Sequence, residues 1–182
     1  MSKLIVEGAK GTGKSTIIRE VIHKLNDVPN VFHSTNYNLN EMIERSQNMK
    51  DEGTIIYDRF NLGELVYPIV YERKSQLNLW DIHNSIKKMN NEDVFIILHA
   101  SQQHTLIDRL RERDGLNNVH KMVQVVKSDS IFHAYGTYLT AYWNDKRNVF
   151  MFDINNADEM SQMHELLDNW VRVENGEGEG EA

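Results

Sequence analysis

Gly8-Ala9-Lys10-Gly11-Thr12-Gly13-Lys14-Ser15-Thr16 fits the phosphate-binding pattern G-x-x-x-x-G-K-[ST] at every required position. Its glycines let successive backbone N–H groups turn inward around phosphates. Lys14 supplies a mobile ammonium for a transferring group, and the Ser15 hydroxyl can complete a Mg²⁺ shell. Upstream, Lys3-Leu4-Ile5-Val6 reads as a short buried strand running into the loop. Downstream, Ser15 to Leu25 carries Ile17, Ile18, Val21, Ile22 and Leu25 at the spacing of a helix with one core face. Phosphates would therefore sit at a helix N-terminus, where orphan N–H groups and the helix dipole favour anions.

The rest of the chain extends this strand-loop-helix unit. Asn30 to Ser34 reads as a second strand, followed by an asparagine-rich loop over Thr35 to Asn40 and a helix near Glu41 to Met49. Gly53 to Tyr57 is a β-branched strand ending at Asp58 and Arg59. Two helical stretches follow, Leu62 to Tyr71 and Leu79 to Met89, the first bent or ended near Pro68. Val94 to Leu98 is a fourth strand, Gln102 to Arg113 and Val119 to Trp143 are helical, and Asn148 to Ile154 is a fifth strand. Strands alternating with helices predict an α/β fold, a five-stranded parallel sheet between two helical layers. Ligands of such sheets bind at the carboxyl ends of the strands. The loop after Val6, the Ser34 region, Asp58-Arg59 and the segment after Leu98 should thus converge on one cleft.

At 182 residues and 40% hydrophobic composition, one domain over 1–173 is expected. The glycine- and glutamate-rich end, 174–182, reads as a disordered acidic tail that cannot bury enough apolar surface to order itself. Cysteine is absent, which rules out a disulfide framework or a thiolate metal site and suits a reducing cytoplasm. None of the eight histidines pairs at the i, i+4 spacing of a helical zinc site. Apolar runs are strand-sized, far short of the ~20 residues of a membrane helix, and no secretory leader is evident, so the expectation is a soluble cytoplasmic protein without a membrane partner. A net charge of −7 disfavours long polyanions, so nucleic acid is not an expected partner.

Beside the phosphate loop, Asp58 should emerge from the sheet edge, where a carboxylate can hold Mg²⁺ or its water ligands. Arg59 can grip a phosphate or another acceptor group with two parallel N–H donors. Arg109 and Arg113, four apart, share a helix face from which Arg111 points away, and Asp114-Gly115 then breaks the helix. An arginine-bearing lid of this kind puts positive charge over a developing metaphosphate-like group while excluding water. Tyr67 and Tyr71 lie one helical turn apart and can stack on a base, whereas Phe132, Tyr135, Tyr138 and Tyr142 read as core.

These residues together carry a resemblance. Val6-Glu7-Gly8 entering the loop, then Asp58-Arg59-Phe60-Asn61-Leu62-Gly63-Glu64-Leu65-Val66-Tyr67, then Arg109 and Arg113 before Asp114-Gly115, resembles the thymidylate kinase and deoxynucleoside kinase group of P-loop kinases over about five-sixths of the chain. The resemblance implies ATP as donor, Mg²⁺ as cofactor, small nucleotides as substrates, and leaves a homodimer open. It makes Lys14 and the loop the donor-phosphate site, Ser15 and Asp58 the metal residues, and Lys14, Asp58, Arg109 and Arg113 the catalytic set. Arg59, Phe60 and Tyr67 become the acceptor side. Two features depart from the group. Ser34-Thr35-Asn36-Tyr37-Asn38 stands where thymidylate kinases have an Arg-Glu-Pro-like segment and nucleoside kinases a catalytic glutamate. Gly63 replaces the commoner serine, as in divergent, often virus- or phage-encoded members.

A sugar hydroxyl benefits from a carboxylate base by about 10² to 10⁴ in rate, whereas a monophosphate oxygen is already anionic and needs mainly positioning. Without an evident base after the second strand, the expected acceptor is a deoxynucleoside monophosphate, thymidylate or a modified dUMP-like pyrimidine leading. A deoxynucleoside kinase, a DNA-hydroxyl kinase and a nucleotide-binding regulatory protein stay as alternatives. For the last, no Asn-Lys-x-Asp guanine-reading motif occurs.

Overall fold

The computed structural model describes residues 2–33, 53–115, 118–143 and 148–177. Strands β1 (Lys3–Gly8), β2 (Asn30–His33), β3 (Ile55–Asp58), β4 (Val94–His99) and β5 (Asn148–Asp153) form one parallel sheet in the order β2-β3-β1-β4-β5. The described helices are α1 (Lys14–Lys24), α2 (Gly63–Val70), α3 (Leu79–Lys87), α4 (Gln103–Asp114), α5 (Val119–Trp143) and α6 (Ala157–Glu174).

The twofold alternation of side chains along buried strands builds two cores at once. Leu4 and Val6 of β1 and Val94, Ile96 and Leu98 of β4 face α1 and α6, meeting Ile17, Val21, Met163, Leu167 and Trp170. Ile5, Phe95 and Ile97 face the opposite way, toward Leu65 and Val66 of α2, Ile82 and Ile86 of α3, and Phe132 and Leu139 of α5. Both faces of the central strands are covered, which is why they read as unbroken apolar runs. Helix α4 stands apart and packs through Leu106 and Leu110 against Val125 of α5.

Helix α2 takes Pro68 inside it and ends two residues later, at Val70. A proline removes the N–H that the Glu64 carbonyl would receive in a regular helix. The Ser75 hydroxyl replaces it, donating to that carbonyl at 2.7 Å. Several expectations need correction. Helix α6 was not expected from the sequence, although Asn156 caps it by accepting from the Asp158 and Glu159 N–H groups and its apolar residues keep helical spacing. Glu174 belongs to this helix and not to a solvated tail. Its carboxylate accepts from the Ser2 N–H at 3.0 Å, the Ser2 hydroxyl at 2.7 Å and the Thr54 hydroxyl. Of the later tyrosines, Tyr138 and Tyr142 are exposed and stack with His83 instead of entering the core, which Phe132 does. The loop over Thr35–Asn40, the helix near Glu41–Met49 and the end of the acidic tail lie outside the described residues.

Candidate active site

The carboxyl ends of β1 and β3 and the start of α1 enclose a cavity of about 450 Å³. It is lined by Lys10 to Ile17, Glu20, Asp58, Arg59, Arg109, Arg113, Ile154, Met160 and His164. Nearly every residue expected for donor phosphates, metal and lid therefore shares one wall system. Gly8 and Ala9 are the exceptions: they form the floor behind the loop, where their carbonyls accept from the Lys14 ammonium at 2.8 and 2.7 Å. Gly13 takes a left-handed φ of 93° at the N-cap of α1, and Thr12 Oγ1 donates to the Ala9 carbonyl at 2.9 Å. The loop is thus bent by its glycines and stapled by its threonine.

Lys14 is 6% exposed, and burial, with Arg59 nearby, pushes its ammonium down to about 7 against the pull of Asp58 and Glu7. Asp58 ends β3 with Oδ2 3.1 Å from His33 Nδ1, while its Oδ1 is buried and unpartnered among the described residues. An acceptor oxygen of that kind on the same cavity wall as the exposed Ser15 suits a hard, oxygen-seeking cation. Among the described residues no group of three His, Cys, Asp or Glu could hold a metal on its own, so this donor set fits Mg²⁺ with phosphate and water ligands better than a protein cage.

Helix α4 reaches the loop through its last two turns. Arg109 Nη1 donates to the Gly11 carbonyl at 3.2 Å. Asp114 accepts from Lys10 at 2.9 Å and from Arg113 at 2.7 and 3.0 Å, and these two cations, Arg113 foremost, hold its carboxyl well below the usual range.

A second cavity of about 270 Å³ abuts the first. Its walls are Lys10, Tyr67, Tyr71, Leu110, Lys121, Gln124, Val125 and Ser128, so Lys10 lines both. The Arg59 guanidinium, on the wall of the first, sits 5.5 Å from the ring centre of Tyr67, on the wall of the second. Burial pushes the Tyr67 hydroxyl up to about 12. Phe60 is reassigned: it is 4% exposed, packs on Tyr57 with ring centres 5.0 Å apart, and lines neither cavity.

Two buried acids lie beside the site without having been expected to act there. Glu7 is wholly buried on the same strand face as Ile5, and burial raises its carboxyl to about 7, moderated by the Phe60 N–H, Arg59 and Lys14. Its signal was legible, since a carboxylate directly after the apolar run Leu4-Ile5-Val6 of a central strand needs a partner. Asp129 is 2% exposed, accepts from the Ala100 N–H at 3.3 Å, and is raised to about 6 by burial, with Asp153 adding. Folded protein holds this proton to about pH 6, whereas the unfolded chain releases it near 3.8, so stability falls as pH rises through that window. Asp129→Asn is expected to be more stable than wild type by up to about 3 kcal/mol above roughly pH 7, the gain vanishing at acid pH. Urea unfolding of both proteins across that range checks it.

No family model matches this chain, and no curated protein matches it. Solved structures do resemble it. The YorR protein of Bacillus subtilis, solved with phosphorylated GDP, is 18% identical over 92% of this chain and 95% of its own, with a TM-score of 0.67. Deoxyadenosine kinase of M. mycoides with bound dATP is 17% identical over 91% and 99%, TM-score 0.56. A gluconokinase of Sinorhizobium meliloti is 10% identical over 96% and 94%, TM-score 0.53. Among the described residues no helix is long and apolar enough to cross a membrane. Sheet order, loop and these likenesses agree on one statement: the chain has the P-loop kinase fold.

Proposed function

We propose that the protein transfers the γ-phosphoryl group of ATP to a deoxynucleoside monophosphate, thymidylate or a modified dUMP-like pyrimidine leading. The observation that carries this reading is the abutment of two cavities at Lys10 and at the Arg59–Tyr67 stack. One cavity offers a phosphate loop. The other offers two tyrosines and two lysines, a setting for a base and an anion.

In this reading the N–H groups of the loop and the Lys14 ammonium hold the donor phosphates, and Ile154, Met160 and His164 give the donor base a wall. Ser15 and Asp58 would hold Mg²⁺, directly or through water; when bound, the ion neutralises charge on the phosphate oxygens. Arg59 grips the acceptor phosphate and, with Tyr67, orients it. An acceptor oxygen forms a bond to the γ-phosphorus as the bond to the β–γ bridging oxygen breaks, and ADP leaves with the electron pair. Arg109 and Arg113 oppose the charge that builds on the transferring group. A free deoxynucleoside is the second reading, favoured by the likeness to deoxyadenosine kinase and by Asp58 Oδ1, which can take a hydroxyl proton.

The test is a panel of dTMP, dUMP, hydroxymethyl-dUMP, the deoxynucleosides and an oligonucleotide, each offered with ATP. A monophosphate is expected to exceed its own nucleoside by about 10²-fold or more in kcat/KM. Phosphorylation of nucleosides with monophosphates untouched would select the second reading.

A further inference from the structure

The Asp58-Arg59 turn is held by a residue outside it. Arg59 takes a left-handed φ of 70°, a conformation that costs a non-glycine residue energy and persists only where its surroundings impose it. Its own N–H donates to the Val6 carbonyl at 2.9 Å. On the next strand position, Glu7 Oε1 accepts from the Phe60 N–H at 2.8 Å and from the Gly63 N–H at 3.4 Å. One carboxylate oxygen therefore ties β1 to the chain just after Arg59 and to the first residue of α2.

Helix α2 makes this tether matter. Its N-cap is Leu62, which has no side-chain acceptor to offer, so an orphan N–H of the first turn is met by Glu7 from the neighbouring strand. The helix carries Tyr67 one turn later, and the Arg59 guanidinium lies against that ring. Arg59 and Tyr67, on the walls of the two cavities, are thus aimed by the segment that Glu7 pins at both ends. Glu7 itself is wholly buried and lines neither cavity, so it cannot touch a ligand in this arrangement.

We propose that Glu7 is a positioning residue: its Oε1 fixes the Arg59 turn and the start of α2, and through them the acceptor side of the site. The inference rests on the reading of Arg59 and Tyr67 as acceptor residues. It concerns reach and hydrogen-bond acceptance, because what the turn requires is an oxygen at one point.

Two variants separate geometry from charge. Glu7→Gln keeps a carbonyl oxygen at the same reach without the charge; Glu7→Asp keeps the charge and withdraws the oxygen by one methylene. Steady-state rates with ATP and the best acceptor of the panel, and direct titration of ATP binding, are measured for both. Positioning predicts that Gln stays within about threefold of wild type, and that Asp raises the acceptor KM about tenfold or more with ATP affinity changed less than about twofold. The reverse order, or equal losses of ATP and acceptor binding, overturns it. Should wild type phosphorylate no acceptor, the kinase reading fails and this inference is still decided by a crystal structure of Glu7→Asp. Arg59 leaving the left-handed region upholds the tether, and an unchanged turn refutes it.

Discussion

Replacing Lys14 by alanine is expected to lower phosphoryl transfer by about 10³-fold while leaving a folded protein, as judged by circular dichroism and thermal melting. Lys14 reaches the cavity from beneath the loop, its ammonium held by the Gly8 and Ala9 carbonyls and flanked electrostatically by Asp58, Glu7 and Arg59. Its charge sits where water is scarce, so a phosphate would meet it at more than its aqueous strength. Arg109 and Arg113 cannot substitute for it. Arg109 is drawn to the Gly11 carbonyl and Arg113 to Asp114, both at the rim. On stability the substitution has opposing effects: it removes a costly buried cation and takes a donor from the Gly8 and Ala9 carbonyls, the second of which still accepts from Thr12. A melting temperature within a few degrees of wild type, with activity gone, is the expected pair. Full activity in Lys14→Ala contradicts the proposed role.

Among the described glycines, Gly8→Ala is expected to be the most damaging substitution. A Cβ at Gly8 would lie 2.4 Å from the Leu98 carbonyl oxygen and 3.0 Å from Thr12 Oγ1, at a φ of +140° that L side chains rarely adopt. The clash is with backbone on the neighbouring strand β4, where Gly8 pairs in register with Leu98, so no side chain can rotate away. Overpacking of this kind costs about 1 to 3 kcal/mol and the backbone strain about as much again. The sum is a large fraction of a domain's stability. Gly115→Ala is the control, since its Cβ would meet nothing within 4 Å and only the left-handed φ of 61° opposes it. A loss of about 1 kcal/mol is expected there. Urea denaturation of the two variants checks the contrast, and equal losses would contradict the account of why the loop must start with glycine.

Much of the fold was legible because it is written in runs of like residues. Buried central strands such as Val94 to Leu98 are apolar throughout, and α1 and α5 carry long helical patterns. What the sequence hid depends on partners distant in the chain. Pro68 is accommodated inside α2 because the acceptor it orphans is satisfied by Ser75, whose approach no local pattern reveals. Glu174 reads as tail because its partners, Ser2 and Thr54, are at the other end of the chain and across the sheet. Phe60 reads as an acceptor residue from its place beside Arg59, but the left-handed turn at Arg59 sends successive side chains apart, the guanidinium to the cavity wall and the phenyl ring to the core. The paired cavities could not be foreseen at all, since their meeting point is Lys10, a variable position of the loop pattern.

In the proposed reaction the γ-phosphate of ATP ends on a nucleotide. Incubation with γ-labelled ATP and each acceptor, followed by separation of products, tests it most directly. The expected result is label on a deoxynucleoside diphosphate, appearing only when its monophosphate is present and absent with Lys14→Ala. Label released solely as inorganic phosphate, at a rate indifferent to every acceptor, would contradict it and point to a nucleotide-binding switch.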